Sequence, residues 1–257
     1  MPATRFLHRL RNHDWTGALI ELVIVIAGIL IALQVSNWNQ ERVDRERGAR
    51  FVQRLGMELA SDQRGMDEAL AFWRKVGDYG KAAMAHSEHS ALVGDDRWKT
   101  VLAYYQASQL YPFELEDTTF LEMREGAGLA LIADESLRKR VADYYRMGGA
   151  GLRANILYHR PAYREEIRGL TPWSVQEYIW AHCFHQGKGA SQELLDCASP
   201  LPDDEAQRLL EAYRASPTLL PRLREWMSIM KISAIVVQGV KGDSAELAGA
   251  LKAAKRD

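Results

Sequence analysis

The residues best suited to chemistry are two histidines and the only two cysteines of the chain. His182-Cys183-Phe184-His185 is followed by Cys197, and imidazole and thiolate groups are ligands that suit zinc or copper. The spacing matches no zinc-binding pattern, and adjacent residues on a helix point about 100 degrees apart, so His182 and Cys183 are poorly placed to share one ion. This makes the cluster a weak candidate metal site, and no cofactor is predicted.

A disulfide between Cys183 and Cys197 is the other interpretation of this segment. Gly187, Gly189 and Ser191 lie between the cysteines and suit a closing loop. In an oxidising compartment the bond would stabilise the fold by about 3 kcal/mol. In the cytoplasm, two separate buried thiols are expected instead.

No motif of the chain predicts an enzyme. The sequence contains neither H-E-x-x-H nor G-x-S-x-G, and the segment from Gly187 to Ser191 lacks the spacing of a phosphate-binding loop. The acidic pairs Asp95-Asp96 and Asp203-Asp204 fall where helix caps are expected. Composition also argues against nucleic acid as a partner, because the formal net charge is -1 and the basic residues form no stripe.

Aromatic and arginine residues in the second half of the chain form a candidate partner surface. Such residues are enriched in binding hot spots, and adjacent tyrosines on a helix are expected to place one ring inward and one at the rim. The alternative is that the tyrosine rings pack in the core. The candidate surface consists of Tyr145, Arg138, Arg140 and Arg146.

The apolar segment from Trp15 to Asn39 predicts a membrane-spanning helix. Such a helix would anchor the candidate residues of the body to a bilayer. Residues 22–33 include nine Leu, Ile or Val, which together favour insertion by about 4 kcal/mol. Trp15 and Trp38 are separated by about 34 Å on a helix, enough to place one indole at each interface of a bilayer. A cleaved signal peptide is the alternative, but no pair of small residues suited to cleavage follows Leu33.

One face of the predicted span is small and polar. Two of its residues, Gly28 and Ala32, have the small-xxx-small spacing that lets helices approach closely, so we expect self-association or docking to another membrane helix. The alternative is that Glu21 reaches the headgroups and the glycines are incidental. The stripe consists of Gly17, Glu21, Gly28, Ala32 and Ser36.

Basic residues flank both sides of the span, so the charge distribution alone does not decide its orientation. A long trailing domain is able to cross the membrane regardless of its charge. We therefore expect a bacterial inner-membrane protein with a cytoplasmic amino terminus and a periplasmic body.

The rest of the chain predicts an all-α fold in which the span continues into a stalk helix and a multi-helix bundle. Apolar residues recur at helical spacing from Phe51 to Trp73, and no segment alternates clearly enough to be a strand. Helix starts are expected at Thr118 or Thr119, Asp134, Thr171-Pro172, Asp203 or Asp204, and Ser216-Pro217. The predicted organisation is a basic arm (1–14), an anchor (15–39), a stalk (40–76) and a helical body (77–257) that forms one domain with the stalk.

Two segments resemble an uncharacterised bacterial family of single-span membrane proteins. Residues 21–39 read E-L-x-x-V-x-x-G-I-L-I-A-L-Q-x-x-N-W-N, and the middle region adds Thr118-Thr119-Phe120-Leu121 and Tyr144-Tyr145. The resemblance implies an amino-terminal anchor and a helical body, and it implies no activity.

The sequence as a whole predicts a membrane-anchored interaction or scaffold protein. The expected partners are the lipid bilayer, a second copy of the chain through the span, and an unidentified membrane or envelope protein. One alternative is a ligand sensor that signals through a partner, and another is a metal-dependent enzyme.

Overall fold

The structure is a computed structural model that describes residues 15–111, 113–148, 161–187 and 191–254, with the side chains of residues 15–18 excluded. Backbone contacts divide the chain into two units, Met1–Phe51 and Val52–Asp257. The expected all-α fold class is confirmed, with a long amino-terminal helix and a multi-helix body.

Eight α-helices account for most of the described residues. They are α1 (Trp15–His89), α2 (Arg97–Gln106), α3 (Thr118–Glu125), α4 (Glu135–Asp143), α5 (Ala162–Leu170), α6 (Trp173–His182), α7 (Asp203–Ala215) and α8 (Leu219–Ala254). A 3₁₀ turn spans Gly128–Leu131, and a single π-helical turn, Tyr144–Gly148, follows α4.

The first unit consists, where it is described, of the amino-terminal part of α1. This part is long and apolar enough to cross a membrane, and none of its most apolar window is buried by protein. The side chains from Leu19 to Leu33 and Trp38 are exposed. Exposed apolar side chains over this length are typical of a helix that contacts lipid.

In the second unit, α1 remains helical beyond the predicted stalk and ends at His89. Gly77 and Gly80 do not break it, because the strong helix formers Lys81 to Ala85 follow them. Its buried stripe includes Leu55, Leu59 and Met66. Ser90 follows the helix with a positive φ of 60°, and its N–H donates to the His86 carbonyl over 2.9 Å.

The core of the second unit surrounds α2. This helix packs against α7 and α5, and α8 packs against α5, α7, α4 and the π-helical turn. Tyr104 and Tyr105, both on α2, are fully buried, contrary to the expected one ring inward and one at the rim, because neighbouring helices cover α2 on nearly every side. Two buried polar groups of this core are paired with carbonyls: the Tyr163 hydroxyl donates to the Tyr104 carbonyl (2.7 Å), and Trp226 Nε1 donates to the Ala107 carbonyl (2.8 Å).

Two short strands were not expected from the sequence. β1 (Phe184–Gln186) and β2 (Gln192–Leu194) form an antiparallel pair in which His185 lies opposite Glu193. Three residues per strand are too few for alternation of polar and apolar residues to be visible in the sequence.

Candidate functional site

A disulfide joins Cys183, at the end of α6, to Cys197, after β2. The two Cα atoms are 5.2 Å apart, and the bond closes the loop that contains the β1–β2 hairpin. Because both sulfur atoms are in this bond, neither is free to act as a thiolate ligand. Of the weak candidate metal cluster, two imidazoles remain: His182 packs against the ring of Tyr178, and His185 is an exposed residue of β1.

Core side chains hold both ends of the disulfide loop. Gln106 Nε2 donates to the Cys183 carbonyl over 2.8 Å, and Trp98 Nε1 donates to the Cys197 carbonyl over 3.0 Å. Lys75 Nζ, on α1, donates to the carbonyl of Leu194. The loop is thereby fixed to both α1 and α2, so the bond is part of the structural framework of the body.

The structure buries one of the four residues of the predicted partner surface, and a binding role for the other three stays a prediction. Tyr145 is only 5% exposed and stacks on Phe120 at a centroid distance of 4.7 Å, because the π-helical turn points it inward. Each arginine already has an intramolecular partner. Arg138 donates to the Ile132 carbonyl (2.8 Å), Arg140 is paired with Glu246 (3.9 Å), and Arg146 is paired with Asp143 (3.0 Å).

The predicted association stripe lies on the exposed part of α1. A Cβ atom added at Gly28 would meet nothing within 4 Å, and Glu21, Ala32 and Ser36 are also exposed. Trp15 and Gly17 belong to the helical backbone, but their side-chain positions lie outside the described residues. Packing through this stripe stays a prediction.

Two carboxylates that the sequence analysis missed are buried on α1. Asp62 is 3% exposed and Glu58 is 7% exposed. The Glu116 N–H donates to Asp62 Oδ1 (2.9 Å), and the Tyr144 hydroxyl donates to Asp62 Oδ2 (3.0 Å). Glu58 Oε1 accepts from both the N–H (3.0 Å) and the hydroxyl (2.5 Å) of Thr119.

Burial raises the pKa of Asp62 from 3.8 to about 6, although its hydrogen bonds with Glu116 and Tyr144 oppose this change. Burial also raises the pKa of Tyr144, and the charge of Asp62 adds to the effect. This carboxyl therefore changes its charge in the range where many cellular compartments vary in pH. The signal in the sequence was an acid at helical spacing between the apolar residues Leu55, Leu59 and Met66.

A groove of about 770 Å³ lies between α1 and α8. Met227 packs directly on Gly80 beside it, because a Cβ atom at Gly80 would overlap the Met227 side chain unless that side chain moved. Charged side chains on its rim are Arg74, Lys81, Lys231 and Asp78. The apolar side chains of the groove are Leu70, Trp73, Met84, Met227, Met230, Ala234 and Ile235.

The sequence analysis did not single out this groove, and the signal that the sequence offered was the methionines and glycines of the two long helices that line it. Gly77 and Gly239 line the groove, and a Cβ atom at either would meet nothing within 4 Å. The groove is thus open at both glycines and able to admit a side chain or a second backbone.

Comparison of the chain with protein-family models, curated proteins and solved structures gave no match.

Proposed function

We propose that this chain is a membrane-anchored helical interaction protein that binds an acidic amphipathic helix of a partner protein. The observation that carries the proposal is the apolar groove between α1 and α8, which we name the α1–α8 groove. An amphipathic helix buries its apolar face in a groove of this kind. The proposal thus retains an interaction role but moves the surface away from Tyr145 and the three arginines.

The dimensions of the α1–α8 groove suit a helix of about four turns. On α1 it runs from Leu70 to Met84, which corresponds to about 21 Å along the helix. Met84, Met227 and Met230 supply flexible side chains that adapt to the shape of a bound helix. Ile235 is 55% exposed, so a bound helix would cover apolar area that is now in water.

The charges on the rim favour an acidic partner. Arg74, Lys81 and Lys231 contribute three positive charges against one negative charge from Asp78, and Lys81 is paired with Asp78 over 2.8 Å. Complementary charges at a rim mainly accelerate association and select among partners. We therefore propose acidic residues flanking the apolar face of the bound helix.

The anchor completes the proposed function. The apolar part of α1 would cross the inner membrane of a bacterium, with the amino terminus in the cytoplasm and the body in the periplasm. The disulfide supports a periplasmic location of the body, since such bonds persist in oxidising compartments. The resemblance of residues 21–39 to a single-span family supports the anchor, and the stripe around Gly28 supports pairing of two spans.

Site-specific photocrosslinking in cells tests the groove directly. A photoreactive residue replacing Ala234, which lines the groove, should form an adduct with an acidic amphipathic helix, identified by sequencing the crosslinked peptide. The Gly239→Leu variant should abolish this adduct because the new side chain occupies the groove from a position where a Cβ atom meets nothing within 4 Å. Gly249→Leu is the matched control, since Gly249 is an equally open glycine of α8 outside the groove lining.

Two results would contradict the proposal. One is an adduct of unchanged yield in the Gly239→Leu variant. The other is an adduct that contains only lipid, which would assign the groove to an acyl chain.

A sensor of pH is the second candidate function, and Asp62 is the observation that favours it. Its carboxyl titrates near pH 6 and lies on α1, the helix that also carries the apolar segment. Signalling would then pass through the partner bound in the groove. The sensor predicts that the yield of the Ala234 adduct changes between pH 5 and 7, and that Asp62→Asn removes this change; a yield independent of pH would exclude it.

A further inference from the structure

Two arginines on successive turns of α5 are packed into the body without a counter-ion. Arg164 and Arg168 are both half-buried, and neither forms an ion pair with a carboxylate of residues 15–111, 113–148, 161–187 or 191–254. The adjacent segment 149–160 contains no Asp or Glu. Buried charges are normally paired, so this arrangement is unusual.

Among the described residues, the two guanidinium groups use a minority of their donors in hydrogen bonds. Arg164 Nη1 donates to the Ser108 carbonyl (2.5 Å) and to Gln109 Oε1 (3.4 Å). Arg168 Nη2 donates to the same Gln109 oxygen over 3.3 Å. Each guanidinium has five N–H donors, so three hydrogen bonds account for a minority of the ten.

One of the unused donors is buried. Arg168 Nε has no hydrogen-bond partner among the described residues and is shielded from solvent. An unpaired buried donor is costly, and more so on a charged group. Since the guanidinium groups converge on one amide oxygen, an anion with two or more oxygens would satisfy these donors better than Gln109 does.

Aromatic side chains hold Arg168 in place for such a ligand. Its Cζ atom lies 4.9 Å from the ring centroid of Tyr105 and 5.1 Å from that of Trp180. These cation–π contacts fix the plane of the guanidinium, and because Arg168 is only half-buried, part of its side chain still meets solvent. Burial and the neighbouring charge of Arg168 lower the pKa of Arg164 to about 10, the effect expected of two cations without an anion.

A carboxylate on the same helix, Glu166, has other partners. Glu166, also on α5, accepts hydrogen bonds from Thr218 (2.7 Å) and Arg222 (2.9 Å) and from the Ser216 hydroxyl. Arg164 anchors α5 to the end of α2 through its bond to Ser108, and Arg168 packs on two rings, but none of these contacts uses the buried Nε of Arg168. The unpaired donors of Arg168 point to a ligand.

We propose that Arg164 and Arg168 form a binding site for a small oxyanion, a carboxylate or a phosphate. The site is separate from the α1–α8 groove, since none of its residues lines that groove. The anion site does not depend on the proposed binding of a partner helix in the groove.

Isothermal titration of the full chain in detergent tests the site, with inorganic phosphate and succinate as the two probes. We expect saturable binding of at least one probe. Arg168→Gln and Arg164→Gln should each weaken it about tenfold or more, because each removes charge-assisted hydrogen bonds. Arg208→Gln is the matched control, since Arg208 is an exposed arginine of α7 paired within its own helix; this variant should bind like the natural chain.

A measurement on the natural chain covers the case in which a variant fails to fold. Phenylglyoxal modifies accessible guanidinium groups, and mass spectrometry reports the rate at each arginine. The bound probe should slow modification of Arg164 and Arg168 several-fold and leave Arg208 unchanged.

Binding of phosphate alone would assign a phosphate ligand, and binding of succinate alone would assign a carboxylate. Absence of both binding and protection would overturn the site. Equal affinity of folded Arg168→Gln and the natural chain would also overturn it.

Discussion

The Tyr144 hydroxyl donates a hydrogen bond of 3.0 Å to Asp62, and this bond joins the π-helical turn to α1. The other carboxylate oxygen of Asp62 accepts from the Glu116 N–H, so one side chain connects three segments of the body. π-Helical turns are rare in proteins as a whole, and those that occur are often found at functional sites. Here the turn places Tyr144 and Tyr145 beside the two buried carboxylates.

Because the pKa of Asp62 is raised in the folded state, the folded protein binds this proton more tightly than the unfolded chain. The contribution of Asp62 to stability is therefore largest at low pH and falls as pH rises from about 4 through about 6. Relative to Asp62→Asn, the free energy of unfolding of the natural chain should fall by about 2 kcal/mol between pH 4 and 8.

Denaturant unfolding of both proteins in detergent across this range measures the difference. Asn has nearly the same size as Asp and keeps an oxygen that accepts from the Glu116 N–H. The difference in the free energy of unfolding therefore reports the effect of the Asp62 charge. A difference that does not vary with pH would contradict the raised pKa.

The disulfide predicts a second effect on stability. Replacing Cys183 and Cys197 together by Ala should lower the free energy of unfolding by about 3 kcal/mol, since the loop in the unfolded chain is no longer closed. For a body of this size the melting temperature should fall by roughly 6–12 °C. Thermal unfolding of the natural chain with and without reductant provides the control: reductant should destabilise the natural chain and have no effect on the double variant.

The stripe on the predicted span gives a third prediction. Gly28→Leu should weaken association of the chain in detergent or membranes, because the larger side chain prevents close approach of two backbones. Ala27→Leu is the matched control, since Ala27 is a small residue of the same helix but lies about a third of a turn away from the stripe. Chemical crosslinking measures both variants. Crosslinked dimers in equal amount for the two variants would contradict association through the stripe.

Local chemistry explains which parts of the fold were predictable. Asp134 was expected to begin a helix, and its carboxylate accepts from the N–H groups of Ser136 (2.8 Å) and Leu137 (3.3 Å) at the start of α4. Asp203 begins α7 as expected. The last helix begins at Leu219, two residues after the Ser216-Pro217 pair that was expected to open it.

The parts that were missed depend on tertiary contacts. The burial of Tyr145 follows from the π-helical turn and from Phe120, which is distant in sequence. The groove depends on the tertiary packing that brings the side chain of Met227 on α8 against Gly80 on α1. The pair Arg164 and Arg168 was not singled out because helical spacing of two arginines is usually found on solvated surfaces, and only packing against Tyr105 and Trp180 distinguishes it.

The most direct test of the central proposal, a membrane-anchored protein with a periplasmic body, is labelling of introduced cysteines in intact spheroplasts. Lys99 is an exposed residue of α2, and the two native cysteines are in the disulfide, so Lys99→Cys provides a single free thiol in the body. A membrane-impermeant maleimide should label Lys99→Cys in intact spheroplasts, and should label Thr4→Cys only after permeabilisation. The opposite pattern would place the body in the cytoplasm and contradict the account.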